Sequence, residues 1–207
     1  MNRSGLQRLI PIILVIIVVV VAVTALVSLG RTMFGGGGEN KTSDSAPTVN
    51  SGKKALTTTS GDYSVVMMWR GPITANETFR SYKIDVSPTE RIMTTYTGYI
   101  GKEITSEKLS NNQDAYTEFV YALDRAKLMD GEKLTGADND LRGICASGNV
   151  FEFATMQRSN VIQKYWTTTC KGSQGSLTAN VTQVSRLFQR QIPTFTTLYQ
   201  KMLQTAE

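Results

Sequence analysis

The chain has 207 residues, 22 basic and 17 acidic side chains, a net charge of +5, two cysteines and no histidine. The missing histidine excludes Ser-His-Asp and Cys-His catalysis, histidine-based zinc sites and histidine pH switching. Two cysteines cannot complete a zinc shell, and the charges are interspersed, with no basic run or aromatic platform for nucleic acid.

Leu9 to Leu29 is apolar and uncharged, with Ile16-Ile17-Val18-Val19-Val20-Val21 at its centre. At about 21 residues it reaches about 30 Å as a helix, the thickness of a bilayer core. In lipid the backbone must satisfy its own hydrogen bonds, which overrides the strand preference of β-branched residues. The run is read as a single-pass signal-anchor in the plasma membrane. The alternative is a secretory signal cut near Ala25, but the run continues past that point and exceeds the usual length of about 7–15 residues. Arg3 and Arg8 precede the run, and Arg31 and Lys41 follow it, the latter offset by Glu39 and Asp44. The positive-inside rule then places residues 1–8 in the cytoplasm and the rest of the chain outside.

From residue 30 to 61 the composition turns to Gly, Ser, Thr and Lys, beginning with Gly35-Gly36-Gly37-Gly38. Such a segment buries too little apolar area to offset ordering entropy, so it reads as a flexible linker. About 30 residues of this kind span roughly 30 Å on average. Ser51-Gly52-Lys53-Lys54 has the S-x-x-K spacing of Ser-Lys enzymes but falls in this linker, where no geometry would be held.

Residues 62–207 suit one extracytoplasmic domain. Tyr63 to Arg70, Phe79 to Val86 and Arg91 to Tyr99 read as strands, the second alternating Tyr82, Ile84 and Val86 against Ser81, Lys83 and Asp85. Asn112 is a good N-cap for a helix with Tyr116, Phe119, Val120 and Leu123 on one stripe, and Gly131 suits its stop. Val150 to Met156 and Val161 to Thr167 flank a turn and predict a hairpin. A helical phase then runs from about Thr178 to Met202, where Pro193 predicts a kink or two abutting helices. The order β-β-β-α-β-β-α predicts an α+β domain, an antiparallel sheet with helices on one face.

Cys145 and Cys170 bracket the predicted hairpin at nearly matching distances from its turn. In the oxidising compartment that the anchor implies, they are expected to bond, stabilising the domain by roughly 3 kcal/mol. The acidic groups Asp130-Gly131-Glu132 and Asp138-Asn139-Asp140 fit no calcium-binding loop and read as solvated. Glu152 reads as a lone strand carboxylate facing solvent. Trp69, Tyr82, Tyr96, Tyr99, Tyr165 and Trp166 are candidates for a recognition surface, with Trp69, Tyr165 and Trp166 foremost. Tyr165 and Trp166 point to opposite sheet faces, so at most one is expected in the core. No catalytic, cofactor or metal residues are assigned.

The polar segment ITSEKLS, Ile104 to Ser110, stands just ahead of the predicted central helix. In this respect the layout resembles the small emfourin-like inhibitors of thermolysin-type metalloproteases. These also place strands before a central helix and a second strand group after it. The resemblance is one of layout over about residues 63–170, without a shared motif. The two cysteines and the long final helix depart from it, and no inhibitory residue carries across. Three expectations follow. The first is a non-enzymatic binding or assembly protein of the cell envelope, held in the lipid bilayer through residues 9–29, with a protein or envelope polymer as partner and no nucleic acid. The second is a protease inhibitor, and the third an envelope hydrolase.

Overall fold

The computed structural model describes residues 51–204; the tail 1–8, the apolar run 9–29 and linker residues 30–50 lie outside the described residues. Among the described residues no helix is long and apolar enough to cross a membrane. Six strands form one sheet: β1 (Tyr63–Arg70), β2 (Arg80–Val86), β3 (Glu90–Thr97), β4 (Lys102–Ser110), β5 (Val150–Gln157) and β6 (Asn160–Thr168). Every pairing is antiparallel, in the order β4-β3-β2-β1-β5-β6. The domain is α+β, as the sequence predicts.

β1 lies at the centre of the sheet. Val65 stands between Val86 and Thr155, Met67 between Ile84 and Phe153, and Trp69 between Tyr82 and Phe151. Residues at every second position share a face, so this register gathers one apolar surface, and the helices cover it. They are α1 (Ser51–Thr57), α2 (Gln113–Arg125), α3 (Val181–Gln189) and α4 (Phe195–Gln204). Phe188 of α3 meets Phe153 and Phe119, and Tyr199 of α4 meets Trp69 and Tyr82 in edge-on contacts. All of these rings except Tyr199, which is partly buried and packs against them, belong to a single buried cluster with Leu56, Tyr116, Val120 and Leu123.

Capping residues set the helix limits. Asn112 accepts from the Ala115 N–H at 2.9 Å to open α2, and Asn180 accepts from the Gln183 N–H at 3.0 Å to open α3. Pro193 falls between α3 and α4, so the last helical region is two abutting helices. Gly131 is not the stop for α2. That helix ends at Arg125, and Lys127 takes a left-handed conformation with φ 62°. The Leu128 N–H then reaches Leu123 O at 3.1 Å, and the Lys127 N–H reaches Asp124 O at 2.9 Å. This is the Schellman bond pair, with buried Leu128 as its apolar lock.

Two further elements depart from the sequence reading. Residues 51–57, read as the end of the linker, form α1, so the folded region starts earlier than residue 62. Leu56 is fully buried, and a Cβ on Gly52 would stand 2.7 Å from Gln163 Cβ, so only glycine allows α1 to lie this close to β6. Ile104 to Ser110 is not a lead-in to the helix but most of strand β4. It is an edge strand carrying Lys102, Glu103, Glu107 and Lys108, charges that discourage pairing with another chain.

Two stability changes follow. Leu56→Ala is expected to cost about 2–5 kcal/mol, lowering Tm by roughly 5–15 °C, whereas a residue in a solvated linker would leave Tm unchanged. Lys127→Gly is expected to stabilise the domain by up to about 1 kcal/mol by relieving the left-handed backbone. Denaturant titration of both variants checks the pair.

Candidate functional site

One end of the sheet carries a cleft of ≈ 400 Å³, within the roughly 300–1,000 Å³ range of small-ligand sites. Three loops build it. The first leaves β1 at Arg70, passes through Gly71 and Ile73, and returns at Phe79. The Ile73 N–H donates to Ala146 O at 2.9 Å, tying this loop to the segment ahead of β5.

The second loop is the β3–β4 turn. Tyr99 stacks on Phe79 with ring centroids 4.1 Å apart. Its hydroxyl donates to Thr74 O at 2.7 Å, and its backbone N–H donates to Asn76 Oδ1 at 3.0 Å. The ring is therefore fixed from both ends although the residue is half exposed.

The third loop is residues 141–149, which supply Leu141, Arg142, Gly143, Ile144 and Cys145 to the lining. It is pinned by the disulfide between Cys145 and Cys170, whose Cα atoms are 5.6 Å apart. The Thr169 N–H also donates to Asn149 O at 3.0 Å. A Cβ on Gly148 would stand 2.8 Å from the Cys145 sulfur, so the loop closes tightly over its own cross-link. The two cysteines meet at the open end of the β5–β6 hairpin, where the sequence places them.

The walls are mostly apolar: Ile73, Phe79, Tyr99, Leu141, Ile144 and Val150. Arg70 and Arg142 bring guanidinium groups to them. Arg70 Nη2 stands 2.7 Å from Glu152 Oε1, and Lys164 Nζ stands 2.7 Å from Glu152 Oε2. Glu152 is therefore not a solvent-facing carboxylate. It is buried on the sheet face opposite the helices, between two cations that offset its desolvation.

Arg142 is exposed on the rim and holds both oxygens of Asp140, with Nε at 3.0 and 2.9 Å and Nη2 at 2.5 Å. Those hydrogen bonds pull the Asp140 carboxyl down to about 2. The lining holds no carboxylate and no free thiol. Both guanidiniums at its edge are already paired with carboxylates, so what the lining presents is chiefly apolar surface.

The foremost aromatic candidates from the sequence, Trp69, Tyr165 and Trp166, are all buried. Trp69 stacks on Tyr82 at 5.2 Å within the core, and Tyr165 is buried on the helical face. Trp166 is buried on the opposite face, and its Nε1–H donates to Asn139 Oδ1 at 2.9 Å. Both members of the Tyr165–Trp166 pair are thus inside, because loop residues such as Asn139 and Gly175 cover the second face. The acidic segments around Asp130 and Asp138 stay apart as ligands. Among the described residues no group of three or more Asp, Glu, Cys or His is placed to hold a metal. Ser51 and Lys54 stand exposed on α1, away from the cleft lining. Of the six aromatics, Tyr99 is the one that reaches the cleft. Arg70, Ile73, Phe79 and Ile144 carry no sequence signal beyond lying near predicted turns.

No protein-family model and no curated protein sequence matches the chain.

The Arg142 contact has a pH consequence. The folded Asp140 carboxyl lies below its ordinary value of about 3.9, so the pair is intact at neutral pH and opens only as pH falls toward 2. Carboxyl-carbon NMR of Asp140 should titrate near that value, and Arg142→Gln should raise the midpoint toward the ordinary one. An unchanged midpoint in the variant would mean that the contact does not persist in solution.

Proposed function

We propose that the chain is a membrane-anchored, extracytoplasmic binding or assembly protein of the cell envelope. In this reading residues 9–29 span the plasma membrane, residues 30–50 tether the domain outside it, and the cleft takes an apolar group of a protein or envelope polymer. The observation that carries the reading is the Cys145–Cys170 disulfide beside an apolar cleft. A structural disulfide suits the oxidising side of a membrane, the side to which the charges around Leu9–Leu29 assign the domain. Apolar walls with few polar groups are the usual make-up of a binding site.

Protease inhibition is the second reading, favoured by one feature. Ile100, at the tip of the β3–β4 turn, is 91% exposed beside the pinned Tyr99. A presented apolar side chain of this kind can plug a protease subsite.

The test is co-purification from membranes in mild detergent, using the full chain and an Ile73→Glu variant. Ile73 lines the cleft and is 47% exposed, so the change should leave Tm nearly unaltered. Losing one buried aliphatic contact should weaken retrieval of a cleft-bound partner by at least about tenfold. Equal retrieval by both proteins removes the cleft from the function. Retrieval of a protease whose activity the chain blocks, sensitive to Ile100→Ser but not to Ile73→Glu, would favour the second reading.

A further inference from the structure

On the helical side of the domain a shallow groove runs between α2 and α3. Tyr121 and Arg125 line it from α2 and Leu187 from α3, and an adjoining hollow along α3 that shares Leu187 is lined by Arg186 and by Arg190, the residue that caps the helix. Glu118 is the only carboxylate among its lining residues. Among the described residues, Arg125, Arg186 and Arg190 have no ion pair or side-chain hydrogen bond. The other described arginines are engaged: Arg70 with Glu152, Arg80 and Arg91 with backbone carbonyls, Arg142 with Asp140, and Arg158 with Asp62. The groove thus concentrates uncompensated guanidinium charge. Tyr121, one helical turn before Arg125, is 48% exposed, and Leu187 is half-buried.

We infer that this groove docks on the headgroup layer of an anionic bilayer. Charge complementarity is the first argument. Juxtamembrane cations gain from the negative surface potential of a bilayer, and arginine pairs phosphate bidentately. An exposed tyrosine beside a leucine is the second, since an amphipathic ring suits the boundary between headgroups and acyl chains. The third is where the rest of the chain joins. The segment bearing the apolar run reaches the domain at Ser51, and α1 packs against α2, the helix that supplies Tyr121 and Arg125. A tether of that length would keep the groove at a high effective concentration near the membrane that anchors it. The inference therefore rests on the anchored reading.

The test introduces one indole reporter, Tyr121→Trp, into the full chain. The native Trp69 and Trp166 are buried and give a constant background. The protein is reconstituted into vesicles containing brominated phosphatidylcholine, with or without phosphatidylglycerol, and resistance to alkaline carbonate is checked first. Docking predicts bromine quenching of the new indole in the anionic vesicles only. The quenching should be lost at high salt and in the Arg125→Gln, Arg186→Gln, Arg190→Gln combination. Removing the same charge elsewhere, by Lys102→Gln, Lys133→Gln and Lys171→Gln, should leave it in place.

Carbonate-resistant protein without quenching in anionic vesicles overturns the docking and leaves the anchor standing. If carbonate releases the chain, the anchor fails, and docking is scored by co-sedimentation with anionic vesicles. There the arginine combination should weaken partitioning on the order of a hundredfold, and equal partitioning overturns the docking. An emission change on adding soluble polyphosphate to neutral vesicles, with no quenching in anionic ones, would assign the groove to an anionic polymer and also overturn the docking.

Discussion

The pairing of β1 with β5 is the contact on which the rest depends. It joins the four-stranded meander β1–β4 to the distant β5–β6 hairpin, and its register decides what faces what. With Met67 opposite Phe153 and Trp69 opposite Phe151, the apolar faces of both halves merge into one surface for the helices. A one-residue slip would turn Phe153 away from Phe188 and expose the core. The same register ends with Arg70 opposite Val150. That pair sits at the base of the cleft, where the loop after β1 and the loop before β5 leave the sheet together. Fold and site are thus two ends of one strand pairing.

The parts of this arrangement that were legible beforehand are those with local periodicity. β1, β2, β5 and β6 alternate strongly or run apolar, and Asn112 announces α2 through its cap and stripe. β4 was not legible because an edge strand under light cover can be polar. Glu107 lies on the helical face of that strand, where its carboxylate accepts from the Thr194 hydroxyl at 2.7 Å, so nothing in KEITSEKLS obliges an apolar alternation. α1 was hidden for a related reason. Its stability comes from Leu56 and from the close approach at Gly52, both tertiary, while its composition is that of a linker.

The candidate site was less legible still. The cysteines were readable from their spacing about the hairpin, and they pin one wall of the cleft. The other walls come from turns whose residues are brought together only by the sheet. Tyr99 and Phe79 stack across two different loops, and Arg70 finds Glu152 on the neighbouring strand. Glu152 looked solvent-facing because alternation along β5 says which face it takes, not that a loop covers that face. The burial of Trp166 is hidden in the sequence for the same reason. The covering segments, around Asn139 and Gly175, have loop composition and no period to read.

The disulfide and the β1–β5 register together hold the 141–149 loop against the loop after β1. The bond from the Ile73 N–H to Ala146 O is the direct witness of that contact. Amide hydrogen exchange at Ile73, measured before and after reduction of Cys145–Cys170, tests it most directly. Ile73 should be protected in the oxidised chain and lose that protection on reduction, with Met67 and Phe153 still protected. Free exchange at Ile73 in the oxidised chain, or protection that survives reduction, would contradict it.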